Sequence, residues 1–430
     1  MRSTFFLILA LLPSTVIGRD MAKPSGPFFE KFHLAAAPKT DGLFLKENDR
    51  LAICGDSITE QKMYSRIMET YLTVCVPELN VTVRQFGWSG ERAPGFLARM
   101  TNDCLRFQPT IATTCYGMND HEYKPYEERI GKTYREKQME IVESFKAHGT
   151  RVILGSAGPV GKMPSWVRTA SGTVEDLNLN LVELRNIDIG LAQKEKVRFA
   201  DVFWPMFLAQ SEVPSRFGTN YAVAGKDGVH PGWAGHTVMA YAFLKAMGLK
   251  GEIGTITVDL KSNKAKVSKG HEVIAVRDGE FEIRSDRYPF CATGPADSDN
   301  SIRSGMLLVP FNQNLNRLML VAKRGQGKNY KVTWGSESKV YPAEHLAAGV
   351  NLAADFPVNP FSDAFKKVDE AVAAKQTYET KQIKQIFHGK DGKADMEAAV
   401  AKTEAERAPL AAAIKSAFVP VTHTINISPE

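Results

Sequence analysis

The strongest constraint on the fold is a regular alternation of strand-like and helix-like segments between residues 50 and 248. Short apolar runs predict strands at 51–55, 81–86, 110–116, 151–155 and 197–203. Helical periodicity predicts helices over about 59–74, 93–106, 126–148, 173–195 and 233–247. An irregular segment is expected between the fifth strand and Asp227. Because helices that connect successive strands allow parallel pairing, the pattern predicts a three-layer α/β/α sandwich with a mainly parallel sheet.

The pattern of the sequence changes after Gly248. Short alternating runs separated by Gly, Asn and Ser occupy 252–345 and are typical of a small β-rich module. Residues 362–417 are rich in Lys, Glu, Ala and Gln with helical periodicity, and their simplest interpretation is a solvated hairpin of two helices. The last run, Val419–Ile427, alternates again and is a candidate strand of the β-rich module.

These changes predict the following organisation of the chain. We expect a signal peptide over 1–18, a main α/β domain over 48–249, a β-rich module over 252–350 with 419–430 as its candidate final strand, and a helical segment over 360–418.

The N-terminus has the pattern of a secretory signal. Arg2 supplies the positive charge, Phe5–Leu12 form the apolar segment, and Gly18 marks a suitable cleavage site. The apolar segment is too short to span a bilayer as a stable helix, which disfavours the alternative of a membrane anchor. We therefore expect a secreted or periplasmic protein without stable membrane insertion.

Composition and cysteine spacing exclude several classes of partner. Hydrophobic residues make up 43% and charged residues 24%, as in soluble globular proteins. The net charge of +6 is small for 430 residues, so no nucleic-acid partner is expected. No Cys-x-x-Cys or His-x-x-x-His spacing indicates a metal site. Cys75 and Cys104 are a candidate disulfide pair that the sequence leaves open.

Polar motifs follow three of the predicted strands. Ser57 follows the first strand in Gly-Asp-Ser-Ile, Gly90 follows the second in Trp-Ser-Gly, and Asn119 follows the third in Gly-Met-Asn-Asp. Asp227 and His230, spaced three residues apart, precede the last helix of the domain. Because the carboxyl ends of parallel strands lie at one edge of a sheet, we expect these residues to form one site.

The residue types in these motifs are those that acyl transfer requires. Ser57 supplies a nucleophilic hydroxyl, His230 a base that takes its proton, and Asp227 a carboxylate that orients the imidazole. The main-chain N–H groups of Ser57 and Gly90 and the side-chain amide of Asn119 are candidate donors to an oxyanion. This chemistry needs no metal or organic cofactor.

Each motif also has a purely structural interpretation. Gly-Asp-Ser is an ordinary turn and helix-cap sequence, and Asn before Asp is common in turns. Taken alone, Asp227 and His230 fit a loop residue and a helix-capping residue as well as they fit a catalytic pair. Four such coincidences at successive strand ends are improbable, and we therefore favour the catalytic interpretation. Asp56 and Asp120 are expected to support loops and helix caps.

This set of motifs, in this order, resembles the SGNH hydrolase superfamily, also called GDSL esterases, over residues 50–248. Gly-Asp-Ser-Ile is similar to the first block of the family, Gly90 to the glycine of the second, Gly-Met-Asn-Asp to the third, and Asp-x-x-His to the last. The resemblance implies an SGNH or flavodoxin-like fold and a carboxylic ester hydrolase. It also implies the catalytic and oxyanion roles given above for the matching positions.

The leading functional hypothesis is a secreted serine esterase that removes small acyl groups, above all acetyl, from carbohydrate or polysaccharide. The alternatives are a lysophospholipase, short-chain lipid esterase or thioesterase, and a catalytically silent glycan-binding protein. Residues that flank the motifs are candidates for substrate binding: Trp88, Arg92, Tyr123 and Trp233. For the aromatic residues a packing role remains open, and for Arg92 an ion pair with Glu91 or Asp120 remains open.

Overall fold

A five-stranded parallel sheet lies at the centre of the structure, a computed structural model that describes residues 23–430. Its strands are β1 (Arg50–Gly55), β2 (Thr82–Gly87), β3 (Ile111–Cys115), β4 (Arg151–Gly155) and β5 (Arg198–Ala200). Their spatial order is β2-β1-β3-β4-β5, and all neighbours pair in parallel. The chain passes from β1 outward to β2 and then returns to β3 on the other side of β1. This reversal creates a crevice at the carboxyl ends of β1 and β3, where such sheets bind ligands.

Helices cover both faces of the sheet. They are α1 (Pro27–Glu30), α2 (Ser57–Glu60), α3 (Tyr64–Cys75), α4 (Ala93–Asp103), α5 (Glu128–Ala147), α6 (Val174–Glu195), α7 (Phe203–Phe217) and α8 (Trp233–Ala246), with 3-10 turns at Pro77–Leu79 and Leu105–Phe107. Leu51 and Ile53 enter the core formed with α3 and α8, whereas Ala52 and Cys54 enter the core formed with α4 and α5. Successive residues of a strand point to opposite faces, so β1 separates two apolar layers. The predicted three-layer α/β/α sandwich is confirmed.

Two sequence predictions within this region were wrong. The segment expected to be irregular contains α7, whose Phe203 and Phe207 are buried. Pro205 lies in the first turn of that helix, where a missing N–H breaks no hydrogen bond, so it does not interrupt the helix. The single helix predicted from residue 59 is divided into α2 and α3, because the chain turns at Lys62 with φ +58°.

Two smaller sheets follow in the described part of the chain after Gly248. Their strands are β6 (Glu252–Asp259), β7 (Lys264–Val267), β8 (His271–Arg277), β9 (Glu280–Ser285), β10 (Arg317–Lys323), β11 (Asn329–Trp334), β12 (Glu337–Pro342), β13 (Val350–Asn351) and β14 (Val421–Pro429). One sheet has the order β13-β10-β6-β7, and the other has the order β12-β11-β14-β9-β8. The terminal strand β14 lies between β11 and β9 and is antiparallel to both.

The remaining helices are α9 (Ile302–Gly305), α10 (Phe311–Leu315), α11 (Ala343–Ala348), α12 (Leu352–Asp355), α13 (Ser362–Lys381), α14 (Lys390–Ala394) and α15 (Met396–Ala417), with a π-helical turn at Gln382–Phe387. The interpretation of this segment as a solvated hairpin was wrong, because α13 packs against α3 and β2. Lys375 of α13 is only 1% exposed, and its Nζ lies 2.9 Å from Glu69 Oε1 and from Glu379 Oε1. Buried charges persist only when they are paired, so these residues form an interface within the protein.

All five cysteines are buried and none forms a disulfide. Cys75 and Cys104, the candidate pair, are therefore both free thiols. Cys104 Sγ instead lies 4.0 Å from Cys54 Sγ in the apolar layer beneath β1.

The predicted signal segment, residues 1–18, lies outside the described residues. Between residues 23 and 430, no helix combines the length and the apolar character that a bilayer crossing requires.

A chain of hydrogen bonds between buried and partly buried side chains connects the two smaller sheets. Trp334 Nε1 donates to His423 Nδ1 at 3.0 Å, and His423 Nε2 lies 3.0 Å from Ser285 Oγ. Ser285 Oγ lies 2.8 Å from His271 Nδ1, and His271 Nε2 lies 3.0 Å from Ile253 O of β6. Because an indole N–H only donates, the chain is complete when both imidazoles are neutral and donate through Nε2. Burial lowers the pKa of His423 to about 3.

We expect His423 to make the protein less stable in mild acid. Its pKa of about 3 in the folded protein lies below the value of about 6.5 expected when unfolded. The stability it contributes is fully present above about pH 6.5 and is lost as pH falls towards the folded pKa, by about 1–2 kcal/mol at pH 5. Urea unfolding at about pH 7.5 and about pH 5 measures this loss. The variant His423→Phe should lose less stability between the two conditions than the wild type, and an equal loss would contradict the assignment.

Candidate active site

Ser57 lies immediately after β1 as the first residue of α2. The side chain of Asp56 caps this helix, with Oδ1 accepting the N–H of Ile58 at 2.9 Å. Gly87, at the end of β2, permits close packing of α2 on the strands, since a Cβ there would lie 2.2 Å from Glu60 N. The local sequence thus holds the serine at the carboxyl edge of the sheet.

Asp227 and His230 lie on the loop before α8 and hold each other in one orientation. Asp227 Oδ1 accepts the N–H groups of Val229 and His230, each at 2.9 Å, and Asp227 Oδ2 lies 2.6 Å from His230 Nδ1. On the other side of the ring, His230 Nε2 lies 2.8 Å from Ser57 Oγ. With Nδ1 protonated against the carboxylate, Nε2 is free to accept the serine proton. The structure therefore brings the predicted nucleophile, base and orienting carboxylate into one hydrogen-bonded chain.

The environment of Asp227 keeps its carboxylate ionised. Partial burial acts to raise the pKa of Asp227, but the hydrogen bonds from His230 and Val229 outweigh that effect and bring the pKa below its usual value. An ionised carboxylate at this position stabilises the imidazolium that forms when His230 takes up a proton.

Gly90 and Asn119 lie on neighbouring loops after β2 and β3. Gly90 has φ +75°, a left-handed conformation that glycine adopts without strain. No heavy atom lies within 4 Å of the position that a Cβ would take, so this side of the loop is open. Asn119 Nδ2 donates to Glu91 O at 3.0 Å, which links the two loops directly. The amide has a second N–H, which suits it to an oxyanion.

Tyr123 determines which way the Asn119 amide faces. Its hydroxyl donates to Asn119 Oδ1 at 3.2 Å, so the nitrogen must lie on the other side. Tyr123 is buried, and both it and Glu122 have positive φ, +57° and +56°. Such strained conformations in side-chain-bearing residues concentrate at functional sites. The direct contact of Tyr123 is thus with Asn119, and its substrate contact stays a prediction.

A buried ion pair supports the loop that carries Gly90. The Glu91 carboxylate accepts two hydrogen bonds from Arg99 Nε and Nη2, each 2.6 Å long, and one from Tyr116 Oη at 2.9 Å. Arg99 Nη2 also donates to Phe86 O at the end of β2. The pair therefore fixes the loop against both β2 and the segment that follows β3.

Trp88 has contacts mainly with charged and aromatic side chains of the protein. The cationic groups of Arg99 and Lys384 each lie 5.1 Å from its ring centroid, and the ring of His388 packs edge-on at 4.9 Å. Two of these partners belong to the C-terminal helical segment. The ring therefore packs between the α/β domain and that segment, and its proposed stacking on a substrate stays a prediction.

Arg92 and Trp233, also predicted to bind substrate, have protein partners as well. Arg92 Nη1 lies 3.2 Å from Glu122 Oε1, so it forms an ion pair, but with a different partner from the expected Glu91 or Asp120. The guanidinium of Arg66 lies 5.5 Å from the Trp233 ring centroid. Their roles in substrate binding also stay predictions.

Trp166 is a residue near the site that sequence reasoning missed. Its side chain is half-exposed, and its ring centroid lies 5.7 Å from that of His230 and 5.7 Å from that of Tyr123. It lies in the loop after β4, one strand beyond the three that carry the sequence motifs. Its position after a strand was the available signal, but no motif accompanies it.

The buried carboxylates next to the site act as supports. Asp120 Oδ1 accepts the N–H of Ala93 at 2.9 Å and Oδ2 that of Gly117 at 3.0 Å. Burial raises the pKa of Asp120 to about 6 and that of Asp56 to about 7. In the part of the chain that the structure describes, no group of three or more His, Cys, Asp and Glu side chains is arranged to hold a metal ion.

Residues 53–238 match the profile of the GDSL-like lipase/acylhydrolase family. This part of the chain is a GDSL-like lipase/acylhydrolase domain. The resemblance to SGNH hydrolases is thereby confirmed, and so is the prediction of a carboxylic ester hydrolase.

The fold is also similar to that of a solved enzyme. A gut microbial diltiazem-metabolizing enzyme superposes with a TM-score of 0.73 at 20% identity, covering 91% of this chain and 100% of its own. That match shows the shared fold well beyond the hydrolase domain. Axe2, an acetylxylan esterase from Geobacillus stearothermophilus, matches at 20% identity over 48% of this chain and 97% of its own, with a TM-score of 0.39. No curated protein sequence matches the chain significantly.

Substitutions of Asn119 and Tyr123 should lower the rate of ester hydrolysis to different extents. Asn119→Ala removes the predicted oxyanion donor and should lower kcat by about 10²–10³-fold. Tyr123→Phe removes only the hydrogen bond that orients the amide and should lower kcat by about 3–10-fold. Kinetics with p-nitrophenyl acetate, together with thermal unfolding of both variants, provide the measurement. Equal losses in the two variants, or full activity in Tyr123→Phe, would contradict the orienting role.

Proposed function

We propose that this hydrolase is an exported serine esterase that removes short acyl groups from carbohydrate through an acyl-Ser57 intermediate. The observation that carries the chemistry is the hydrogen-bonded chain Ser57–His230–Asp227, with distances of 2.8 and 2.6 Å. Export is part of the proposal because residues 1–18 have the pattern of a secretory signal.

Acylation begins with attack of Ser57 Oγ on the ester carbonyl carbon. The hydroxyl proton passes to His230 Nε2, and Asp227 stabilises the resulting imidazolium. The negative charge on the carbonyl oxygen is stabilised by the N–H groups of Ser57 and Gly90 and by Asn119 Nδ2. Collapse of the tetrahedral intermediate breaks the C–O bond to the alcohol, which leaves with the proton from His230.

Deacylation repeats these steps with water as the nucleophile. Water takes the place of the departed alcohol and gives its proton to His230 Nε2 as it attacks the acyl-Ser57 carbonyl. The same donors stabilise the second oxyanion. When that intermediate collapses, the proton returns to Ser57 Oγ and the carboxylic acid departs.

The surroundings of His230 support a ring-bearing alcohol as the leaving group. His230 returns a proton to the leaving alcohol, and the half-exposed ring of Trp166 lies 5.7 Å from its imidazole. A flat indole face in this position suits contact with the apolar face of a sugar ring. We therefore propose acetylated carbohydrate as the substrate class.

Ser57→Ala tests the proposed nucleophile. Hydrolysis of p-nitrophenyl acetate should fall by at least about 10⁴-fold, because the acyl-enzyme cannot form. Ser211→Ala, at an exposed serine whose Oγ donates to Leu208 O on α7, is the matched control and should retain full activity. Substantial activity in Ser57→Ala would rule out the acyl-serine route, and an inactive wild type would favour a silent binding protein.

Trp166→Ala tests the proposed substrate class. On acetylated xylo-oligosaccharides, kcat/KM should fall by about 3–10-fold, since one aromatic contact is worth about 0.5–1.5 kcal/mol. On vinyl acetate, whose alcohol part has no ring, it should change less than about twofold. Equal losses on both esters would contradict a ring-binding role for Trp166. A wild-type preference for p-nitrophenyl octanoate over the acetate ester would favour a lipid substrate instead.

A further inference from the structure

Lys384 of the C-terminal helical segment forms an ion pair beside the predicted nucleophile. Helix α13 continues into the π-helical turn Gln382–Phe387, and Lys384 Nζ of that turn lies 2.9 Å from both carboxylate oxygens of Glu60. Glu60 Oε2 in turn accepts the main-chain N–H of Ser89 at 2.5 Å. Residues separated by about 300 positions in sequence thus form one continuous bridge.

The bridge connects the two segments that matter most for acyl transfer in the proposed mechanism. Glu60 is the last residue of α2, the short helix that begins with Ser57. Ser89 directly precedes Gly90, whose N–H is an oxyanion donor in the proposed mechanism. The Glu60 carboxylate therefore links the nucleophile's helix directly to the oxyanion loop.

Lys384 supplies the charge that keeps this carboxylate in place. Burial acts to raise the pKa of Glu60, but the hydrogen bonds from Lys384 and Ser89 outweigh it, so the pKa lies below its usual range. Lys384 Nζ also lies 5.1 Å from the ring centroid of Trp88, on the same loop as Ser89. The Lys384 and Glu60 side chains are only 26% and 19% exposed, which limits screening by water.

The π-helical turn explains how a helical lysine reaches this position. If α13 continued as an ordinary α-helix, its side chains would keep the same angular spacing around the axis. A π-turn widens the helix and changes the direction in which the following side chains point. Such turns are rare and frequently occur at functional sites. Here the turn places Lys384 towards Glu60, and His388, just after it, contacts Asp103 Oδ2 at 2.8 Å.

We propose that Lys384 and Glu60 are positioning residues that hold the Gly90 loop in the geometry required for oxyanion stabilisation. This inference rests on the proposed function of Gly90 as an oxyanion donor. Lys384 acts through Glu60, and Glu60 acts through the N–H of Ser89. Neither side chain exchanges a proton or a bond with the substrate.

Kinetics of Lys384→Met provide the first test. We expect kcat for p-nitrophenyl acetate to fall by about tenfold with KM changed less than about twofold. The loss is moderate because the Gly90 N–H is displaced and not removed. Lys384→Arg keeps the charge and should recover most of the activity. Lys402, on α15, forms an exposed ion pair with Asp391 of α14. Lys402→Met is therefore the matched control and should behave as wild type. An unchanged kcat in Lys384→Met would overturn the proposal.

A double variant separates positioning from general stabilisation. If Lys384 acts through Glu60, then Lys384→Met combined with Glu60→Gln should lose no more kcat than Glu60→Gln alone. If the double variant shows the product of the two single losses in kcat, Lys384 acts by another route, which would contradict the proposed bridge. Thermal unfolding of each variant shows whether the loss of kcat follows a loss of fold.

Hydrogen exchange tests the bridge without relying on activity. The peptide that contains Ser89 should exchange faster in Lys384→Met than in wild type, and at the wild-type rate in Lys402→Met. Unchanged exchange would overturn the inference even if the protein is an active esterase. Faster exchange in a protein with no esterase activity would instead preserve the bridge and reject the proposed function.

Discussion

The geometry of the site depends on the buried ion pair between Arg99 and Glu91. Arg99 is held by the Glu91 carboxylate, by Phe86 O and by Asp103, so one guanidinium connects β2, α4 and the Gly90 loop. Because removing one partner would leave the other charge buried and unpaired, at a cost of about 3–5 kcal/mol, the pair persists as a unit. With the Glu91 side chain fixed, its main-chain carbonyl stays in place to accept the Asn119 amide.

The chain after Gly248 supports the catalytic loops from both sides. Near the oxyanion loop, Lys384 reaches Glu60. Near the histidine loop, Asp299 O accepts the N–H of Ala234, Asp299 Oδ2 accepts that of Ala222, and its carboxylate pairs with Lys226 at 2.6 Å. Contacts thus cross the domain boundary that the change in sequence pattern suggests at about residue 250. The later segments act as part of the scaffold of the active site.

The sequence was sufficient to predict the parallel sheet and the chain Ser57–His230–Asp227, because strand ends and short motifs are local signals. It was insufficient for Arg99, Lys384 and Trp166, whose positions follow from packing between distant segments. The composition was also misleading about exposure where polar side chains are buried. Lys375 lies in a segment rich in Lys and Glu that looks solvated, yet its charge is buried against Glu69 and Glu379. Such a paired lysine has no signature distinct from that of a surface lysine.

The loop that carries Asn119 shows how strain is retained at the site. Glu122 and Tyr123 both have left-handed backbones, which cost side-chain-bearing residues about 1–2 kcal/mol each. The ion pairs of Glu122 with Arg92 and Arg129 involve half-exposed arginines, and pairs of that kind contribute little. The buried ring of Tyr123 and its hydrogen bond to Asn119 are therefore the stronger constraints. The residue that orients the amide is thus also the one whose burial holds the strained turn in place.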